Sequence, residues 1–169
     1  MNTSPLPSSA SSAAVQELQQ AGRRLSNRPP IHVTPRTAHA LLLAGSLPEF
    51  AIVDGPLTFE PGSEPIFPRG VRIRGSLSVA WCGDGLKLGP DMTVEGMADF
   101  SMTSLATIPA GLKIKMALDV SHTSISEFPQ DMQVGWKIVI GGNVTKSMKA
   151  RVTALDLQLS RNRRQTGKK

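Results

Sequence analysis

A unit of about 20 residues is repeated along most of this 169-residue chain, and it constrains the fold more than any other feature. Five copies share four features in register: a starting proline, a branched aliphatic residue, an alternating apolar pair and a fixed position three residues after that pair. The prolines are Pro48, Pro68, Pro90, Pro109 and Pro129; the aliphatics are Val53, Ile73, Val94, Ile114 and Val134; the pairs are Leu57/Phe59, Leu77/Val79, Ala98/Phe100, Leu118/Val120 and Ile138/Ile140; and the fixed positions are Gly62, Cys82, Thr103, Thr123 and Asn143.

The spacing of the copies predicts a solenoid. From Gly62 to a degraded sixth copy at Asn162, the steps are 20, 21, 20, 20 and 19 residues. The alternating pair is typical of a half-buried strand, and a strand so short is stable only beside others. A crossover that contains a helix needs about 30 residues, so the return segment is predicted to be extended, 3₁₀-helical or a turn. We therefore expect a mostly β fold of five to six stacked coils with parallel strands.

The chain divides into four predicted regions. Residues 1–30 are rich in serine and proline and are predicted to be disordered, because they cannot bury enough apolar surface. Residues 31–47 are predicted to form a helical cap over the first coil, since solenoid ends need covering. Thr34 is its N-cap, Pro35 its first residue and Gly45 its stop, with an apolar face from Ala38 and residues 41–43. Residues 48–162 form the solenoid, and residues 163–169 a basic tail.

The net charge of +6 belongs to the C-terminal end. Between Lys149 and Lys169 there are seven basic side chains against Asp156, so the remainder of the chain is neutral. A solubilising end is the favoured interpretation, and contact with acidic lipid or nucleic acid is the alternative. The single cysteine excludes an internal disulfide and a multi-cysteine zinc site. His32, His39 and His122 share no metal-ligand spacing, so no metal or cofactor is expected.

Two runs of the repeat resemble a known family. The leucine-rich-repeat consensus resembles the run from Leu118 to Pro129, which reads L-x-V-x-x-T-x-I-x-x-F-P, and also the run from Ala98 to Pro109. The length of the repeat and its closing proline are similar to those of the compact bacterial subtype found in type III secretion effectors. The resemblance implies a structural ladder of inward side chains that satisfy backbone groups of the bend. Its members would be Cys82, Thr103, Thr123, Asn143 and Asn162. One departure, the G-V-R-I-R-G run from Gly70 to Gly75, predicts a second short strand per coil and favours a general β-solenoid.

Residues that flank the alternating pair are predicted to point outward and to form columns on the surface. The candidate partner-binding residues on this face and its edge are Ser78, Trp81, Asp99, Asp119, His122, Lys137 and Val139. Trp81 has no equivalent of similar size in other copies, which is typical of a binding anchor. Trp136 is expected to be packed, and the ladder register of Cys82 favours a structural thiol over a nucleophile.

Three function hypotheses follow. The favoured one is a protein–protein interaction module, which the family resemblance extends to an effector secreted by bacteria into a host cell; a cytoplasmic protein is the other location considered. The second is an enzyme that uses Asp99 and Asp119 as paired carboxylates, although no catalytic motif is present. The third is a binder of acidic lipid or nucleic acid through the basic tail. The partner is expected to be a protein, with no small-molecule substrate.

Overall fold

The computed structural model describes residues 29–141 and Val152, and residues 29–141 contain eleven two-residue strands and one helix. The helix α1 spans Pro35–Leu43. The strands are β1 His32–Val33, β2 Ile52–Val53, β3 Leu57–Thr58, β4 Arg72–Ile73, β5 Leu77–Ser78, β6 Thr93–Val94, β7 Ala98–Asp99, β8 Lys113–Ile114, β9 Leu118–Asp119, β10 Gln133–Val134 and β11 Ile138–Val139. The predicted mostly β class is confirmed.

The strands form two parallel sheets. Sheet A has the order β1-β2-β4-β6-β8-β10, and sheet B has the order β11-β9-β7-β5-β3. Each strand pairs with its equivalent in the next copy, so Ile73 pairs with Val94 in sheet A and Leu77 pairs with Ala98 in sheet B. The two sheets confirm the second strand predicted from residues 70–75. The described residues make a β-solenoid of about five coils, and the sixth copy at Asn162 lies outside them.

The interior is shared by all coils. The second residue of most sheet A strands and the first residue of each sheet B strand are buried, as Ile73, Leu77 and Leu118 illustrate. The return segments contribute larger side chains to the same cluster, among them Phe67 and Ile108. Burial in one continuous interior stabilises strands that are too short to persist alone.

The one-residue insertion in the second step lies in the turn that contains Asp84 and Gly85. Gly83 N–H donates to Ser63 O, an offset of 20 residues, whereas Ile66 forms a bridge with Lys87, an offset of 21. The chain therefore absorbs the extra residue between those two points. As a consequence the predicted register of Pro90 is wrong by one residue, because the pairing of Arg72 with Thr93 places Gly89 opposite Pro68.

Helix α1 begins and ends as predicted. The Thr34 hydroxyl accepts a hydrogen bond from Thr37 N–H, Pro35 is the first helical residue, and Gly45 follows the C-cap with a φ of 63°. Ala38 and Leu42 are buried, but Leu43 is exposed, since positions three or four apart share one side of the helix and Leu43 is five residues from Ala38.

The helix contacts the first coil directly. The ring of His39 stacks on Phe59 with centroids 4.6 Å apart, and Ile66 N–H donates to Leu42 O over 2.9 Å. Strand β1, which the sequence did not predict, precedes the helix and pairs with β2.

Candidate functional site

The outer face of sheet B carries four of the predicted binding residues in one column. Ser78, Asp99, Asp119 and Val139 are the second residues of successive strands, and each is half-buried. Neighbouring strands lie about 4.8 Å apart, so the column runs parallel to the solenoid axis. The repeat register therefore brings together residues that are widely separated in sequence.

Both carboxylates of this column hold the turn that follows their strand. Asp99 Oδ1 accepts hydrogen bonds from Ser101 N–H over 3.0 Å and from Ser101 Oγ–H over 2.6 Å. Asp119 Oδ1 accepts from Ser121 N–H over 2.8 Å. Such aspartate bonds to the backbone two residues later are typical of turns. They give Oδ1 of each aspartate a structural role in the turn.

Along one margin of the face runs an edge ridge formed by Trp81, Met102 and His122. The three residues lie in successive coils, and all are exposed, Trp81 by 58%. Their φ angles are 62°, 56° and 56°, in the left-handed region. That conformation costs a residue with a side chain about 1–2 kcal/mol. The fold thus holds three large side chains in solvent at a backbone position where glycine or asparagine would be less strained.

The first coil departs from this arrangement. Its residue at the ridge position is Pro61, whose ring excludes a positive φ. The left-handed residue is instead Gly62, with a φ of 80°. The corner of the first coil therefore differs from the later corners because proline occupies the ridge position.

Three predicted ladder residues lie at equivalent positions inside the coil. The Thr103 hydroxyl donates to Phe100 O over 2.7 Å, and the Thr123 hydroxyl donates to Val120 O over 2.8 Å. In the preceding coil Cys82 is buried, and its backbone N–H donates to Val79 O. Burial raises the pKa of the Cys82 thiol to about 11, which disfavours the reactive thiolate. Asn143 and Asn162 lie outside the described residues.

The opposite margin of the face carries a corner patch formed by Met97, Met116 and Trp136. Met116 and Trp136 occupy a position that is glycine in the earlier coils, and Met97 follows the glycine of its own coil, Gly96. A Cβ on Gly96 would lie 2.7 Å from Ser76 N. Trp136 is 46% exposed, so the prediction that it is packed is wrong, because it lies at this corner and not in the interior. The Lys137 ammonium lies 5.1 Å from its ring centroid, a favourable cation–π contact.

The residues directly before the alternating pair form one of the predicted outward columns, and this column contains an exception. Ala117 lies in register between Met97 and Lys137, yet it is buried, so its predicted outward exposure is wrong. A single methyl group between two long side chains has little contact with solvent.

Sheet A presents charges that pair with one another. Arg74 lies 3.0 Å from Asp54, and Lys115 lies 3.2 Å from Glu95, each pair joining adjacent coils. His32 Nδ1 lies 2.8 Å from the other oxygen of Asp54. The hydrogen bond from His32, together with the nearby charges of His32 and Arg74, lowers the pKa of Asp54. Opposite charges of adjacent coils are therefore paired where the strands of sheet A end.

The part of the chain that the structure describes contains no group of three or more histidine, cysteine, aspartate or glutamate side chains placed to hold a metal ion. Within the same residues no helix is both long enough and apolar enough to cross a membrane. No family model, curated protein or solved structure matches the chain.

Proposed function

We propose that this chain is a protein-interaction module that binds its partner through the outer face of sheet B and the edge ridge. The observation that carries the proposal is Trp81, a large aromatic residue that is 58% exposed and held at a φ of 62°. Exposure and backbone strain both cost stability, and strained residues cluster at functional sites. Tryptophan is also among the residues that contribute most to binding energy.

The surroundings of Trp81 support this role. Met102 and His122 extend the exposed ridge across two further coils, and Ser78 and Asp99 provide polar groups beside it. Protein interfaces commonly combine an apolar anchor with a polar rim. Lys137 and Val139 continue the same surface at the last described coil.

The two alternative functions have weaker support. For an enzyme based on Asp99 and Asp119, one oxygen of each carboxylate is already engaged in holding the turn. Binding of acidic lipid or nucleic acid would depend on residues 149–169, which lie outside the described ranges. Deletion of those residues tests that alternative, because binding driven by the tail would be lost and would weaken steeply with added salt.

We extend the proposal to a bacterial effector of the leucine-rich-repeat class whose helix α1 caps the first coil. Support for the effector comes from the sequence resemblance of the runs at Ala98–Pro109 and Leu118–Pro129. Support for the cap comes from the contacts of Leu42 and His39 with the first coil. A secretion assay with residues 1–30 fused to a reporter tests delivery separately from binding.

The binding proposal is tested by quantitative capture of proteins from a cell lysate on the immobilised full-length chain. The variant is Trp81→Ala, and the matched control is Phe50→Ala, because Phe50 is 53% exposed and has a φ of 58° at another corner of the coil. We expect Trp81→Ala to lose partners that Phe50→Ala retains. Equal retention or equal loss in both variants would show that the edge ridge is not the binding surface.

A further inference from the structure

The face of sheet B has two apolar margins with an acidic centre. The edge ridge lies on one side of the Asp99–Asp119 column, and the corner patch lies on the other. In one coil these margins are represented by Met97 and Met102, which are five residues apart. At about 3.3 Å per extended residue, their backbones are at most about 17 Å apart. An α-helix with its side chains is about 10–12 Å wide, so one helix along the solenoid axis is within that limit, whereas two helices side by side exceed it.

The two carboxylates at the centre of this face form no ion pair with the described residues. Asp99 and Asp119 are directly adjacent on neighbouring strands, and like charges in that arrangement are destabilising. Their Oδ1 atoms hold the turns, while the Oδ2 atoms have no hydrogen bond to the described residues. On sheet A, by contrast, adjacent coils pair opposite charges, as Asp54 does with Arg74. Lys137 lies on the coil after Asp119, and its ammonium is placed over the ring of Trp136.

From these features we infer that the partner segment is an amphipathic α-helix with a stripe of lysine or arginine. This inference rests on the proposed binding function and adds the chemistry of the partner. The basic stripe meets the Oδ2 atoms of Asp99 and Asp119, which removes the repulsion between them. The apolar flanks of the helix cover the exposed side chains of the edge ridge and of the corner patch. Methionine at both margins suits this role, since its flexible side chain adapts to a partner surface.

The test measures binding of fluorescent amphipathic helical peptides to the full chain by anisotropy. The probe peptide is built from leucine and lysine, and its control has glutamate in place of every lysine. The key variant, Asp99→Asn with Asp119→Asn, keeps an Oδ1 acceptor for each turn and removes both charges. The control variant, Asp84→Asn with Glu127→Gln, removes two exposed charges that lie off the strands of sheet B. A further variant, Met116→Ser with Trp136→Ser, removes most of the corner patch.

We expect the lysine peptide to bind and the glutamate peptide not to bind. Loss of two exposed ion pairs at about 0.5 kcal/mol each corresponds to a Kd about fivefold higher in the double aspartate variant. The Asp84/Glu127 control should stay within twofold of the wild type, and the corner-patch variant should weaken binding at least as much as the aspartate variant. Absence of lysine-peptide binding, equal binding of both peptides, or an equal effect of both charge variants would overturn the inference. If Trp81→Ala nevertheless loses its captured partners, the binding function stands and only the basic helical partner is excluded.

Discussion

The threonine ladder gives the sharpest prediction about stability. Thr103 is 4% exposed, and its hydroxyl donates to Phe100 O over 2.7 Å. Valine has nearly the same shape, so Thr103→Val removes the donor with little change in packing. A lost hydrogen bond costs about 0.5–1.5 kcal/mol, and a buried carbonyl left without its donor raises the cost to about 1–3 kcal/mol. We therefore expect Thr103→Val to lower the free energy of unfolding by about 1–3 kcal/mol.

Urea unfolding followed by circular dichroism measures this change. The midpoint should fall in Thr103→Val while the dependence of the free energy on urea stays constant. The neighbouring exposed residue supplies the control, because Ser104→Ala should change the free energy by less than about 0.5 kcal/mol. Thr123→Val should lie between the two, since Thr123 is only half-buried and water can replace part of the lost bond. If Thr103→Val and Ser104→Ala were equally stable, the ladder would not hold the bend.

Three further predictions concern the interior, a corner and the thiol. Phe100→Ala should lower the free energy of unfolding, measured with urea, by about 3–5 kcal/mol because Phe100 is fully buried. Met116 is exposed, so Met116→Ala should lower it by under about 1 kcal/mol, and similar losses in the two variants would contradict the shared interior. Gly96→Ala should destabilise the fold by about 1–3 kcal/mol, because its Cβ would meet the backbone of Ser76 and Gly75. Gly83→Ala should cost less, because its Cβ would meet the flexible Glu64 side chain, and the reverse order of the two losses would refute the close stacking of the coils. Burial raises the pKa of Cys82 from 9.0 to about 11, so the neutral thiol contributes its full stability below about pH 9 and loses it toward pH 11. At pH 10 the wild type should have lost about 1 kcal/mol relative to Cys82→Ala, and a constant difference between the two proteins from pH 8 to pH 10 would exclude a buried thiol.

Much of the fold can be predicted because repeated strands carry their register in the sequence. The pairs at Leu77/Val79 and Leu118/Val120 alternate as half-buried strands do, and a constant offset of 20 or 21 residues aligns each copy with the next. Strand β1 escapes prediction, since two residues such as His32 and Val33 have no periodicity of their own. It exists because Ile52 and Val53 offer a partner edge.

The candidate site is predicted less completely. The columns place Ser78, Asp99, Asp119 and Val139 correctly, because side-chain direction alternates along a strand. Corners do not follow that alternation, and this is why Trp136 is exposed against expectation. The left-handed φ of Trp81 is also not predicted, since tryptophan is an unfavourable residue for that conformation and only the geometry of the bend imposes it.

The stacking of equivalent turns is tested most directly by a spin-label distance. Labels at Thr58→Cys and Val139→Cys, in a Cys82→Ala background, lie 81 residues apart in sequence but in one column of sheet B, four strand steps apart. At about 4.8 Å per step, the backbones are predicted to be about 19 Å apart. Double electron–electron resonance should give one narrow peak at that distance, extended only by the label tethers. A broad distribution, or a peak beyond about 35 Å, would contradict the solenoid.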